Sequence, residues 1–106
     1  MFYLKKYLLG FDLGTLSSKA LLVDLQGNII ANASREHAIL RKHQGWAEHD
    51  PEVTWWGEFK SIVQEVLYKT GIDAKKIAGI GICGLVPTLC PVGKDGIATR
   101  NAILYL

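Results

Sequence analysis

Apolar residues first gather over residues 7–11 and end on polar Asp12, so residues 7–12 read as a short buried strand. Residues 14–17 read as a turn, and residues 19–24 as a second apolar strand. Gln26-Gly27-Asn28 is turn chemistry, because Gly27 tolerates positive φ. Residues 28–35 follow, with Ile29, Ala31 and Ala33 alternating against Asn32 and Ser34 at the period of a strand. Three strands joined by two tight turns predict an antiparallel meander.

Residues 36–47 show no clear period. Asp50-Pro51-Glu52 reads as a helix start: the Asp side chain can accept free amides, Pro suits the first turn, and acidic residues suit the dipole. Trp55, Phe59, Ile62 and Val66 fall on one helical face, and Gly71 after Thr70 is a C-terminal cap. Asp73 opens a short turn at Ala74–Lys76. Ile77–Cys83 is apolar at both parities, as in a central strand covered on both sides. Two further strands over residues 89–92 and 98–106, around a turn at 93–96, complete a mixed α/β sheet. The last five residues, 102–106, are predicted to pair near the central strand.

With 106 residues, the chain is one small domain at most. Its 49% hydrophobic residues exclude intrinsic disorder. No apolar run approaches the ~20 residues that span a bilayer. A net charge of +2 without a basic cluster gives no argument for nucleic acid. Cys83 and Cys90 form neither a disulfide framework nor a metal spacing, and their apolar surroundings predict buried free thiols in a reducing cytosol. No signal peptide is visible. The apolar ending Ala102-Ile103-Leu104-Tyr105-Leu106 predicts that the chain is a piece of something longer, with apolar surface left open and a tendency to self-associate.

Chemistry gathers first at Asp12-Leu13-Gly14-Thr15-Leu16-Ser17-Ser18-Lys19. A carboxylate ends one strand, a Gly-Thr turn follows, and hydroxyls and an ammonium enter the next. Such a turn can aim amides and hydroxyls at phosphate oxygens while the carboxylate holds magnesium through water. An ordinary hairpin with polar turn residues is the alternative.

The segment from Phe11 to Thr15, followed by Ser17-Ser18-Lys19, resembles the first phosphate motif of the actin-like ATPase superfamily. More narrowly it resembles the FGGY carbohydrate kinases, the group of glycerol, xylulose and gluconate kinases. Gly45-Trp46-Ala47-Glu48-His49-Asp50-Pro51 with Trp55-Trp56 is similar to that family's Gly-Trp-x-Glu-His-Asp-Pro segment and the Trp that follows it. Residues 77–84 and Ala102-Ile103-Leu104-Tyr105 are similar to its later strand and substrate-edge segments.

The resemblance implies a partial actin-like (ribonuclease H-like) domain: residues 1–106 as the amino-terminal part of the first of two kinase domains. It implies ATP and Mg2+, a sugar or polyol acceptor, and a cytoplasmic setting. Asp12 would be the magnesium-associated carboxylate. Gly14, Thr15, Ser17, Ser18 and Lys19 would meet the nucleotide phosphates. Leu16 replaces a residue that is often Thr or Ser. The catalytic aspartate would lie beyond Leu106, so this chain alone would be inactive.

For the acceptor, the resemblance points to Trp46, Glu48, Val86, Pro87 and Tyr105. Trp46 and Glu48 would border the sugar pocket, although Asp50-Pro51 also start the helix, and Trp46, Trp55 and Trp56 also read as core bulk. Val86 and Pro87 stand where xylulose kinase-like members read Gly-Gln-Met-His-Gly and glycerol kinases carry an Arg-Glu pair. Neither side chain can hydrogen-bond a hydroxyl. Tyr105 stands where Trp is common; it can stack on the substrate or fill a core.

Other patterns carry less. Gly79-Ile80-Gly81-Ile82-Cys83-Gly84 spells a dinucleotide fingerprint, but its glycines sit inside a strand, and Pro87 blocks the helix that should open there. His37, His43 and His49 are spaced by six, a period no secondary structure aligns, which argues against a metal site. Glu58 and Glu65 read as a solvated helix face. Two other functions compete with a kinase piece: a non-catalytic phosphate-binding or assembly module of the same superfamily, and a chaperone-type ATPase, against which the 45–51 segment argues.

Overall fold

A computed structural model describes residues 4–106. Strands β1 (Tyr7–Leu13), β2 (Ser17–Asp24) and β3 (Ile29–Glu36) form the antiparallel meander, and β5 (Ile77–Cys83) joins β1 in parallel, giving the order β3-β2-β1-β5. A second sheet, order β4-β7-β6, is built from Glu48–His49, Ala102–Leu104 and Thr88–Leu89.

The helix starts where its caps dictate. Asp50 accepts the amides of Glu52 and Val53 at 3.0 and 3.2 Å, with Pro51 in the first turn. The first six residues, Pro51–Trp56, are wound more loosely than an α-helix, and α1 proper runs Gly57–Thr70. Gly71 ends it at φ 70°, in the left-handed region that glycine adopts without strain. Ile62 and Val66 of α1 are fully buried against Leu9, Phe11, Ala20, Leu22 and Ala33. Ala20 and Ala33 are cross-strand partners, and these small residues let the helix approach the sheet closely. Phe59 meets Phe11 edge to face at 5.0 Å.

Alternation along the strands assigns the two faces. Leu9, Phe11, Ser18, Ala20, Leu22 and Ala33 point to α1 and are buried. Leu8, Gly10, Asp12, Lys19 and Leu21 occupy the opposite face, where Leu8 and Leu21 are exposed. No described helix is long and apolar enough to cross a membrane.

Three expectations are corrected. β5 is at the end of the sheet, not at its centre, and Ile80 and Ile82 are exposed; it pairs only with β1 among the described residues. The last segment does not join that sheet. Ala102–Leu104 pairs with β4 and β6, because Glu48–His49, fixed beside the helix start, offers the nearer edge. Trp46 and Trp56 are half exposed and not core bulk; Trp56 stacks on Phe59 at the surface.

Candidate functional site: a phosphate turn and an aromatic sheet face

The β1–β2 hairpin closes tightly. The Gly14 amide donates to the Ser17 carbonyl at 2.8 Å, and a Cβ on Gly14 would lie 2.9 Å from that oxygen, so only glycine fits. Thr15 and Leu16 form the tip. Register then sets the neighbours: Asp12 opposite Lys19, Lys19 opposite Ser34, and Asp12 beside Cys83. These four side chains make one row on the face away from α1. They border an open cavity of about 750 Å³ with Gly10, Gly81 and Leu21 among its lining.

Asp12 and Lys19 are exposed, as a site for charged ligands needs. Cys83 is exposed too, and its thiol donates to Asp12 Oδ1 at 3.2 Å. That bond, with the carboxylate's charge, pushes the thiol pKa up. Cys90 is half-buried, and burial with the charge of Glu52 raises it as well. The buried pair expected from the sequence is therefore corrected: strand β5 has no cover over Cys83.

Ser18 departs from the phosphate set. It is fully buried on the α1 side, with its Oγ unpartnered among the described residues, and it cannot share a face with Lys19. Thr15 and Ser17 are half-buried at and beside the tip.

Behind the turn sit two histidines that sequence reasoning weighed only as metal ligands. His37 Nε2 lies 2.9 Å from the Gly14 carbonyl, and His49 Nε2 lies 3.0 Å from the Thr15 carbonyl. Their rings meet edge to face at 4.8 Å. His37 Nδ1 bonds Glu58 Oε1 at 2.8 Å, so Glu58 is not the solvated residue expected of it. The Trp55 indole donates to His49 Nδ1 at 3.1 Å. His43 lies apart, against Trp46, and no cluster of three metal-ligating groups exists among the described residues. Burial, with the nearby His37, lowers the His49 pKa against the opposing pull of the Thr15 carbonyl. Glu65 pairs with Arg35 at 2.9 Å, which lowers its pKa.

The residues expected to meet the acceptor lie on and beside the second sheet. Glu48 pairs with Ile103, and Leu104 with Thr88. Carried on along the strands, the same registers place Trp46, Tyr105 and Pro87 in one row. Trp46, Val86 and Tyr105 are exposed there. Glu48 is nearly fully buried: Arg100 pairs with one carboxylate oxygen, and the Asn101 amide donates to the other at 3.2 Å. Its charge is therefore largely spent on holding the 100–101 segment, with Arg100 also lying over the Trp46 ring at 6.0 Å.

Residues 7–106 match the FGGY family of carbohydrate kinases, N-terminal domain. The chain belongs to the FGGY carbohydrate kinases. A glycerol kinase of Clostridium perfringens is 37% identical over 103 residues, covering 96% of this chain and 20% of that protein. A glycerol kinase of Vibrio campbellii is 38% identical over 102 residues, covering 95% and 20%. Among solved structures, a xylulose kinase from Rhodospirillum rubrum superposes with a TM-score of 0.82 at 31% identity, over 93% of this chain and 20% of that one. A gluconate kinase from Lactobacillus acidophilus gives 0.80 at 31%, over 92% and 19%. This FGGY chain thus spans about a fifth of the length of its curated relatives. The α/β fold and the family expected from the Asp12–Lys19 and Gly45–Pro51 segments both stand.

Proposed function

We propose that the protein is the amino-terminal part of the first domain of an ATP-dependent sugar or polyol kinase acting in the cytoplasm. The observation that carries this is the exposed Asp12–Lys19 row beside a turn that only Gly14 can close. A carboxylate and an ammonium side by side, next to outward amides and hydroxyls, suit a magnesium–nucleotide complex.

Asp12 offers hard oxygen for Mg2+, and Thr15, Ser17, Lys19 and the turn amides suit phosphate oxygens. Bound magnesium would neutralise charge on the phosphates. What this chain contributes is position: a strand end that fixes the carboxylate, and a turn that fixes the donors. A glycerol kinase from Plasmodium falciparum of the same fold has been solved with ADP. The acceptor hydroxyl would approach across Trp46 and Tyr105, whose ring faces suit sugar C–H surfaces. Val86 and Pro87 side chains supply no hydroxyl partner, so polar recognition of the acceptor either differs from that of the relatives or falls to other residues.

The test is ADP release by the kinase that carries this chain, measured over polyols, ketoses and aldonates. Turnover dependent on one acceptor is expected, with none from the 106-residue chain alone. Absence of turnover with every acceptor would overturn the kinase reading.

A further inference from the structure

The two histidines behind the turn have no part in the kinase reading, yet their rings hold the Gly14 and Thr15 carbonyls. In a trans peptide the C=O of one residue and the N–H of the next point to opposite sides. A ring that grips the Gly14 carbonyl therefore turns the Thr15 amide away from itself. A ring that grips the Thr15 carbonyl does the same for the Leu16 amide. Neither amide meets a protein acceptor among the described residues.

From this geometry we infer that His37 and His49 are positioning residues: they grip the back of the β1–β2 turn and aim the Thr15 and Leu16 amides at an anion, here the nucleotide phosphates. This rests on the kinase reading for the identity of the anion, but not for the grip itself.

Hydrogen-bond inventory fixes the roles of the rings. An indole N–H can only donate, so His49 Nδ1 accepts from Trp55, and Nε2–H donates to the Thr15 carbonyl. Both partners of His37 are acceptors, a carboxylate and a carbonyl oxygen. Each grip is itself held from α1 or the turn before it: Glu58 behind His37, Trp55 behind His49. The main-chain bond from the His37 amide to the Leu16 carbonyl, at 3.0 Å, adds a third hold on the same tip.

Two readouts test the grip in the 106-residue protein. Nitrogen-15 spectra of the histidine rings should show His49 as the Nε2–H tautomer. Hydrogen exchange of the Gly14 and His37 amides, which report the turn, should quicken at least tenfold in His49→Phe and Trp55→Phe, while Leu9 and Leu22 amides stay as they were. His49→Gln, which keeps a donor near the ε position, should restore most of the protection. If His49→Phe fails to fold, Trp55→Phe and the tautomers of the unaltered protein still decide. The opposite His49 tautomer, or turn amides unchanged in Trp55→Phe, would overturn the proposal.

In the kinase, His49→Phe should raise the KM for ATP about tenfold and leave the acceptor KM within twofold. A merely structural role would lower the active fraction and move neither KM. Loss of the grip signatures sinks this inference alone, whereas correct signatures in a protein that turns over no acceptor sink the kinase reading and keep the grip.

Discussion

Asp12 and Lys19 are direct cross-strand partners at the head of the hairpin, yet they form no ion pair. The carboxylate instead accepts the Cys83 thiol from the neighbouring strand, and the ammonium stays in solvent. The two opposite charges thus lie side by side on one exposed face, unpaired with each other.

Asp12→Ala should therefore lower kcat of the kinase by ~10²-fold or more, the scale of losing one charge-stabilising group, with the fold unchanged. The residue is exposed at a strand end, so its loss opens no cavity. Steady-state rates at limiting magnesium, beside a circular dichroism melt, check this; an unchanged kcat would remove the metal role.

Gly14→Ala should act on the same site through the backbone. Its new Cβ would press on the Ser17 carbonyl at 2.9 Å, and the turn must open to relieve it. Forcing an extra methyl into a closed space costs about 1–3 kcal/mol. The melting temperature should fall accordingly and the KM for ATP should rise, whereas a variant with wild-type melting and wild-type KM would show that the turn is looser than described.

Stability should depend on pH through His49. Burial lowers its pKa below the ordinary 6.5, so the folded ring takes up a proton at lower pH than the unfolded one. Above about pH 6.5 this costs nothing; as pH falls through that value, only the unfolded chain gains the proton, and stability drops. Thermal melts at pH 7.5 and 5.5 should show a decrease that shrinks in His49→Gln. An equal decrease in both proteins would assign the effect elsewhere.

The 106-residue chain should self-associate. Leu8 and Leu21 are exposed on the sheet face away from α1, Ile80 and Ile82 are exposed on the other face beside Leu9 and Phe11, and β5 has an unpaired edge among the described residues. Open strand edges template pairing with another chain, and contiguous apolar surface favours it. Sedimentation at micromolar concentration should show mass increasing with concentration; a constant monomer mass would mean that the open edge and these apolar residues are tolerated in water.

Local chemistry was legible in the sequence. Gly27, Asp50-Pro51, Gly71 and Asp73 each state a turn or a cap within a few residues, and the elements start or stop where they say. Relationships across long separations were not. Glu58 reads as solvated until the end of β3 brings His37 against it, and Glu48 reads as free until the 100–101 segment folds back to it. The edge position of β5 was hidden for a related reason. An apolar run records that a face prefers cover, and says nothing of which segment supplies it. His37 had one usable signal: it follows Glu36, which the meander register sets opposite Ser17 at the turn.

The parallel pairing of β1 with β5 has a consequence for the order of assembly. The meander needs only neighbouring residues to meet, but the thiol–carboxylate bond of Cys83 with Asp12 joins positions 71 apart. Closing a loop of that length is entropically costly and slow compared with forming a hairpin. On a growing chain the β1–β2 turn is thus shaped first, with Asp12 already at its mouth, and the strand that completes its row arrives only after the helix has been made.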